Sequence, residues 1–234
     1  MIVPISKRLH AAAMLVHQGA RVADIGCDHG YLGIWLLQTG RASFVHASDL
    51  NRMPLESAMK NSEKYGVSEK MTFTCAGGLD GIAPDSVDAV TICGMGGDLM
   101  RLILEKAPWV RNPNYTLILQ PQSGAPDLRD WLLRSGFAIL QETPVREDGH
   151  MYFAMKVRYT GVPVEASPGG LYVTPAMLES KSVDLLDYID TVLNSLRISA
   201  SGMEKSRHAG EKLVFTRHAM AEILEMREKL AQSQ

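Results

Sequence analysis

Apolar positions in this chain keep switching between two spacings. Short strand-like runs occur at 22–25, 44–48, 71–74, 89–93, 116–119, 138–140 and 151–157. Between most of them, stretches with helical spacing occur at 31–38, 54–65, 98–106 and 128–135. An earlier helix is expected after Ser6, a good N-cap, carrying Leu9, Ala12, Ala13 and Val16 on one face and stopping at Gly19. Pro54 suits a first helical turn, and Gly66 and Gly136 suit helix ends. Strands alternating with helices of this length predict an α/β fold, a parallel sheet covered on both faces. The last two strands are separated only by Arg146-Glu147-Asp148-Gly149, a tight hairpin. One antiparallel strand is therefore expected at the end of an otherwise parallel, Rossmann-like sheet.

The pattern changes after residue 160. A Gly- and Pro-rich break leads to Thr174-Pro175, an N-cap followed by proline at the first helical position. Val183, Leu186, Ile189, Val192 or Leu193, and Leu196 then form one stripe, and Leu213, Met220, Ile223 or Leu224, and Leu230 a second. Their simplest reading is packing. Two antiparallel helices with a turn within 199–210 are expected, with one kinked helix as the alternative. The predicted division is 1–160 for a cofactor-binding α/β domain and 161–234 for a helical hairpin.

Composition narrows the class. With 46% hydrophobic and 21% charged residues the chain has the balance of a soluble globule. No apolar run approaches the ~18 residues of a membrane span, and no signal-peptide pattern opens the sequence. Cys27, Cys75 and Cys93 show no metal-ligand spacing, so no metal is expected, and the thiols are expected to be reduced in a cytoplasmic protein. The net charge of -2 counts against a nucleic-acid binder unless a basic face is local. The oligomeric state is left open.

The richest chemistry lies in Asp24-Ile25-Gly26-Cys27-Asp28-His29-Gly30, between the first interior strand and its helix, with Asp49 at the end of the next strand. Strand, glycine loop, helix, strand and acid are the order of a nucleoside-binding unit whose acid takes ribose hydroxyls. A pyrophosphate would meet the loop carboxylates at the helix N-terminus that should serve it. A cationic nucleoside such as S-adenosylmethionine suits the loop better than NAD does. Cys75-Ala76-Gly77-Gly78-Leu79 would let backbone approach an adenine, and Cys93-Gly94-Met95-Gly96-Gly97 would floor the cleft beneath a flat base. Gln120-Pro121-Gln122 offers carboxamides to a base edge. Lys7, Arg8, Lys205, Arg207, Lys212 and Arg217 are candidate phosphate contacts. Plainer alternatives stand beside these: glycines that only make turns, an Asp49 that caps a helix, a His29 that only fixes its loop, charges that form a solvated face. Cys27 and Cys93 flank the cleft, so a thiol reagent is expected to inhibit and cofactor to protect.

Ile5-Ser6-Lys7-Arg8-Leu9, the Asp24–Leu32 segment, Gly94-Met95-Gly96-Gly97 and Leu117-Ile118-Leu119-Gln120-Pro121 together resemble the bacterial tRNA (adenine-N1)-methyltransferases that act on adenine 22 of the D-arm. The likeness covers residues 5 to 157. It implies a class I methyltransferase sheet with a C-terminal coiled-coil domain, S-adenosylmethionine as donor and tRNA as acceptor. The cofactor would lie among Asp24, Gly26, Asp28, His29, Gly30, Asp49, Leu50, Gly77, Gly78, Leu79, Cys93 and Gly94. Substrate would meet Lys7, Arg8, Met95, Gly96, Gln120 and Pro121, and His29, Asp28 and Met95 would serve catalysis. Two positions depart from expectation: Gly77 stands where such enzymes often carry Asp or Asn, and His150 where a lysine is expected. A methyltransferase with another substrate, an NAD-dependent dehydrogenase and a non-catalytic RNA-binding protein are the rival readings.

Overall fold

A computed structural model describes residues 2–204 and 210–232. Seven strands form one sheet: β1 (Ala20–Ile25), β2 (Ala42–Asp49), β3 (Met71–Cys75), β4 (Ala89–Gly96), β5 (Thr116–Ser123), β6 (Phe137–Glu147) and β7 (His150–Tyr159). Their spatial order is β3-β2-β1-β4-β5-β7-β6. All pairs are parallel except those made by β7, which runs against both β5 and β6. The antiparallel strand is thus last in sequence but inserted one place inside the edge. Asp148 and Gly149, both at positive φ, make the tight β6–β7 turn.

Each interior strand sends alternate side chains into two separate cores. Val22 of β1, Ala89 of β4 and Ile118 of β5 point to one face, covered by α1 (Lys7–Leu15), α2 (Tyr31–Gln38) and α3 (Arg52–Lys64). Ala23, Ile25, Val90, Ile92, Leu117 and Leu119 point to the other, covered by α4 (Gly97–Lys106) and α5 (Ala125–Arg134). Ser6 does cap α1, its hydroxyl accepting from the Leu9 amide at 3.4 Å.

The C-terminal segment completes the second core. After α6 (Pro175–Leu178), α7 (Leu185–Glu204) packs on β6 and β7, and α8 (Gly210–Gln232) packs on α7. Met177, Tyr188, Ile189, Leu193 and Ile223 belong to the same apolar cluster as Phe153, Met155 and Val157 of β7. Two helices, rather than one kinked helix, are therefore what the stripes encode. The first of them continues to Glu204, so residues 199–204 are helical and the rest of the expected turn, 205–209, lies outside the described residues.

Candidate active site

The strand order reverses between β1 and β4, and a cleft of about 670 Å³ opens at their C-terminal ends. Its acids are Asp24, Asp28, Asp49 and Asp80, against Arg8 and Lys106. The β1–α2 loop is held by its neighbour strand: the Gly26 and Cys27 amides both donate to the Ser48 carbonyl, at 2.8 and 3.1 Å. Gly26, Asp28 and Gly30 all have positive φ, which glycine adopts freely and aspartate tolerates. A Cβ on Gly26 would lie 2.2 Å from the Met95 methyl, so the Met95 side chain rests directly on this loop. Gly30 serves packing instead, because a Cβ there would meet Ala58 of α3 at 2.9 Å.

Asp24 is almost wholly buried at the end of β1. Its Oδ1 accepts from the Thr91 hydroxyl at 2.8 Å, whereas Oδ2 has no hydrogen-bond partner. Burial pushes its pKa up to about 6; the Thr91 hydroxyl and the nearby Gly33 backbone pull down, and the Asp49 charge adds a little upward. Asp49 accepts from the Asp28 amide at 3.2 Å and from the Asn51 amide at 2.8 Å, one bond per oxygen. A carboxylate has about four acceptor sites, so capacity for hydroxyl donors is left. Asp28 and His29 stand on the rim, Oδ1 to Nε2 3.6 Å, with both side chains about half or more exposed.

Across the cleft, β4 carries a bulge. Cys93 pairs with Gln120 and Met95 with Pro121, which leaves Gly94 unpaired at φ 77°. Its amide donates to the Gln120 side-chain carbonyl at 3.1 Å, and the Gln120 amide donates to the Pro121 carbonyl at 3.2 Å.

A family model described as a methyltransferase domain matches residues 5–155. A Bacillus subtilis tRNA (adenine(22)-N(1))-methyltransferase is 33% identical over 78% of this chain and 78% of its own. This chain belongs to that methyltransferase family. A solved chain from Streptococcus pneumoniae, described as a candidate tRNA (m1A22) methyltransferase in complex with S-adenosyl-L-methionine, is 31% identical, covers 93% of this chain and 100% of its own, and superposes with a TM-score of 0.78. The structure of the B. subtilis m1A22 tRNA methyltransferase gives 27% identity, 98% coverage of both chains and a TM-score of 0.77.

Within this family frame, the sequence expectations sort by position. Asp24, Gly26, Asp28, His29, Asp49, Leu50, Gly77, Gly78, Leu79, Cys93, Gly94, Met95 and Arg8 all line the cleft. Gly30, Lys7 and Gly96 do not, and two further expectations need correction. Gln120 is fully buried with its carboxamide committed to the bulge, so it props Gly94 and offers nothing to a base edge. Pro121 is buried beside it and borders a different cavity. Gln122 is the carboxamide that reaches the cleft. Leu99, Leu102 and Lys106 of α4 also line it, and the helical spacing of that segment gave no sign that one face would turn to a ligand. Lys205 and Arg207 lie outside the described residues, and Arg217 is spent on Glu204 at 2.7 Å. Among the described residues no cluster suits a metal ion, and no helix is long and apolar enough to cross a membrane.

Proposed function

We propose that this protein transfers the methyl group of S-adenosylmethionine to N1 of adenine 22 in the D-arm of tRNA, in the cytoplasm. The observation that carries this reading is Asp24: a buried carboxylate with one unpartnered oxygen at the base of an acidic, nucleoside-sized cleft. A cation offsets such a charge, and the amino acid portion and sulfonium of this cofactor supply one. When bound, the cofactor supplies an electrophilic methyl group.

The chain's own residues then have three tasks. Asp49 accepts the ribose hydroxyls, while Leu50, Gly77, Gly78 and Leu79 border the adenine. Asp24 holds the cationic end, beside Gly26, Cys93 and Gly94. Adenine N1 carries an in-plane lone pair, so no base has to act before attack, and the remaining work is alignment. Met95 lies where the target base would rest. Asp28 offsets the positive charge that N1-methylation leaves on the base, and His29 takes a proton from its exocyclic amine. N1 lies on the Watson–Crick edge, so the adenine must be turned out of its stack to react. Arg8, Lys7 and Lys212 contact phosphates, and residues 161–234 form the unit that meets the RNA body.

Tritium transfer from labelled cofactor to unmodified tRNA tests this, with nucleoside mass analysis. The expected product is 1-methyladenosine, lost when adenine 22 is replaced by guanine. Label retained in that control, or appearing only in other nucleosides, rejects the reading.

A further inference from the structure

A second cavity, of about 290 Å³, lies between the β5–α5 turn, β7 and α7. Gln122 lines both cavities, so they adjoin. At roughly 30 Å³ per molecule the second cavity would hold about ten waters, which is ample room for one nucleobase. Its walls are aromatic: Tyr152, Phe153, Tyr172 and Tyr188. Phe153 and Tyr188 are buried and engage each other edge to face at 5.8 Å, leaving the half-buried Tyr152 and Tyr172 as the open surfaces. Exposed Thr191 and Ser195 of α7 form the lip.

Charge around this cavity is almost cancelled. Arg129 beneath it is paired with Glu142 at 2.8 Å. The acids of α7 are committed as well: Asp184 to the Arg146 amide, Asp187 to the Arg146 guanidinium and Asp190 to Arg227. Arg8 is less tightly paired. It lines the cofactor cleft, and its guanidinium carbon stands 5.6 Å from the centre of the Tyr152 ring. It therefore sits on the ridge between the two cavities. Its Nε has no hydrogen-bond partner and forms only a long ion pair with Glu147 Oε2, at 3.6 Å, while the other oxygen of Glu147 accepts from the Lys7 amide.

An aromatic, base-sized cavity with a loosely paired arginine on the ridge toward a methyl-transfer cleft has the chemistry of a nucleotide subsite. Turning one base out of a stack strips its neighbour of a stacking partner, and an aromatic surface replaces what is lost. We propose that this cavity takes a base adjoining the target adenine, stacked on Tyr152 and Tyr172, with the intervening phosphate on Arg8. The inference rests on the RNA-methylating reading above.

The test fills the cavity from its exposed lip with Ser195→Trp and Thr191→Trp, and asks for tRNA methylation and for cofactor affinity by calorimetry. Unchanged cofactor affinity and a KM for tRNA raised by about fivefold or more are expected, since base–aromatic stacking is worth about 1–3 kcal/mol in binding. Wild-type enzyme with tRNA made abasic next to adenine 22, on each side in turn, should show a similar rise on one side. Combining that abasic tRNA with Ser195→Trp should add nothing further. Tyr152→Phe, which keeps the ring, should hold the wild-type KM, and Tyr152→Leu should not. A wild-type KM in both tryptophan variants, or abasic and tryptophan effects that multiply, overturns the subsite while leaving the main activity standing. Wild-type chain that binds cofactor but methylates no tRNA overturns both.

Discussion

Asp24 ties the cleft's chemistry to the stability of the whole chain. Its native pKa of about 6 lies above the model-peptide value of 3.8, so between those pH values the native state binds more protons than the unfolded one. The sign follows: without cofactor, stability falls as pH rises from about 4 through 6, by about 3 kcal/mol at most. Asp24→Asn is therefore expected to be more resistant to urea than wild type at pH 8, with the gap closing toward pH 4. Cofactor binding has the opposite slope, because the cation needs the ionised form. Wild-type affinity should be level above pH 7 and weaken by up to about tenfold per unit below 6, and Asp24→Asn should bind weakly at every pH. Calorimetry showing the same affinity from about pH 5 to 8 would refute the assignment. The thiols need a revised expectation. Burial pushes both Cys27 and Cys93 well above the usual thiol range, with nearby acids adding to it, whereas Cys75 is exposed. Thiolate is the reactive form. Peptide mapping after brief alkylation should find Cys75 labelled first and the two cleft thiols last; inhibition that tracks Cys75 labelling would remove the cleft thiols from the explanation.

Elements were legible where their pattern was strong and their ends were not. The helix at Tyr31–Gln38 and the seven strands sit where apolar runs place them, yet β6 spans Phe137–Glu147 against an expectation of 138–140. Glu142 is buried against Arg129, an interaction between residues that no local spacing exposes. The same limit misplaced Gln120. A continuous Leu117-Ile118-Leu119 run does not say which face its successor takes, and the Gly94 bulge that needs Gln120 is a property of two strands together. Gln120→Leu should leave the exposed Gly94 amide to water, costing about 0.5–1.5 kcal/mol. It should also lower kcat by loosening the Met95 segment, with a smaller effect on cofactor affinity. Glu at this position keeps an acceptor and should restore part of the rate. A Gln120→Leu enzyme with wild-type kcat and thermal midpoint would show that the bulge needs no such support. Gly97→Ala tests another element junction: its Cβ would lie 2.5 Å from the Gly124 carbonyl, where the starts of α4 and α5 meet. Both helices must shift, and a lower thermal midpoint is expected.

For the molecule as a whole, the boundary after residue 160 is a change of sequence pattern, and we propose that it divides the roles of two parts that share one core. The packing argues for their folding together. Arg129 donates to Glu142 at 3.0 Å and to the Leu171 and Tyr172 carbonyls at 2.9 and 3.0 Å, with its guanidinium 4.2 Å over Phe153. The second Glu142 oxygen accepts from the Thr174 hydroxyl, which in turn caps α6 by accepting from the Met177 amide. A charge pair from α5 and β6 is thus made complete by backbone that arrives only after the break. Gly169 gives α8 its seat in the same way, its amide donating to Glu222 at 2.8 Å and its missing Cβ making room for that side chain. Replacing Arg129 by Met leaves Glu142 buried without its cation, and breaking such a pair costs about 3–5 kcal/mol. A chain cut after residue 160 loses more: Arg129 keeps Glu142 but not its carbonyls, and Val173, Met177, Tyr188 and Ile189 no longer cover the β7 face. Urea unfolding of the intact protein, followed by far-UV and near-UV circular dichroism, should give coincident single transitions, and the 1–160 fragment should aggregate or unfold. Two separated transitions, or a stable fragment that binds cofactor with wild-type affinity, would show instead that the α/β part stands alone and that the helices are an attachment.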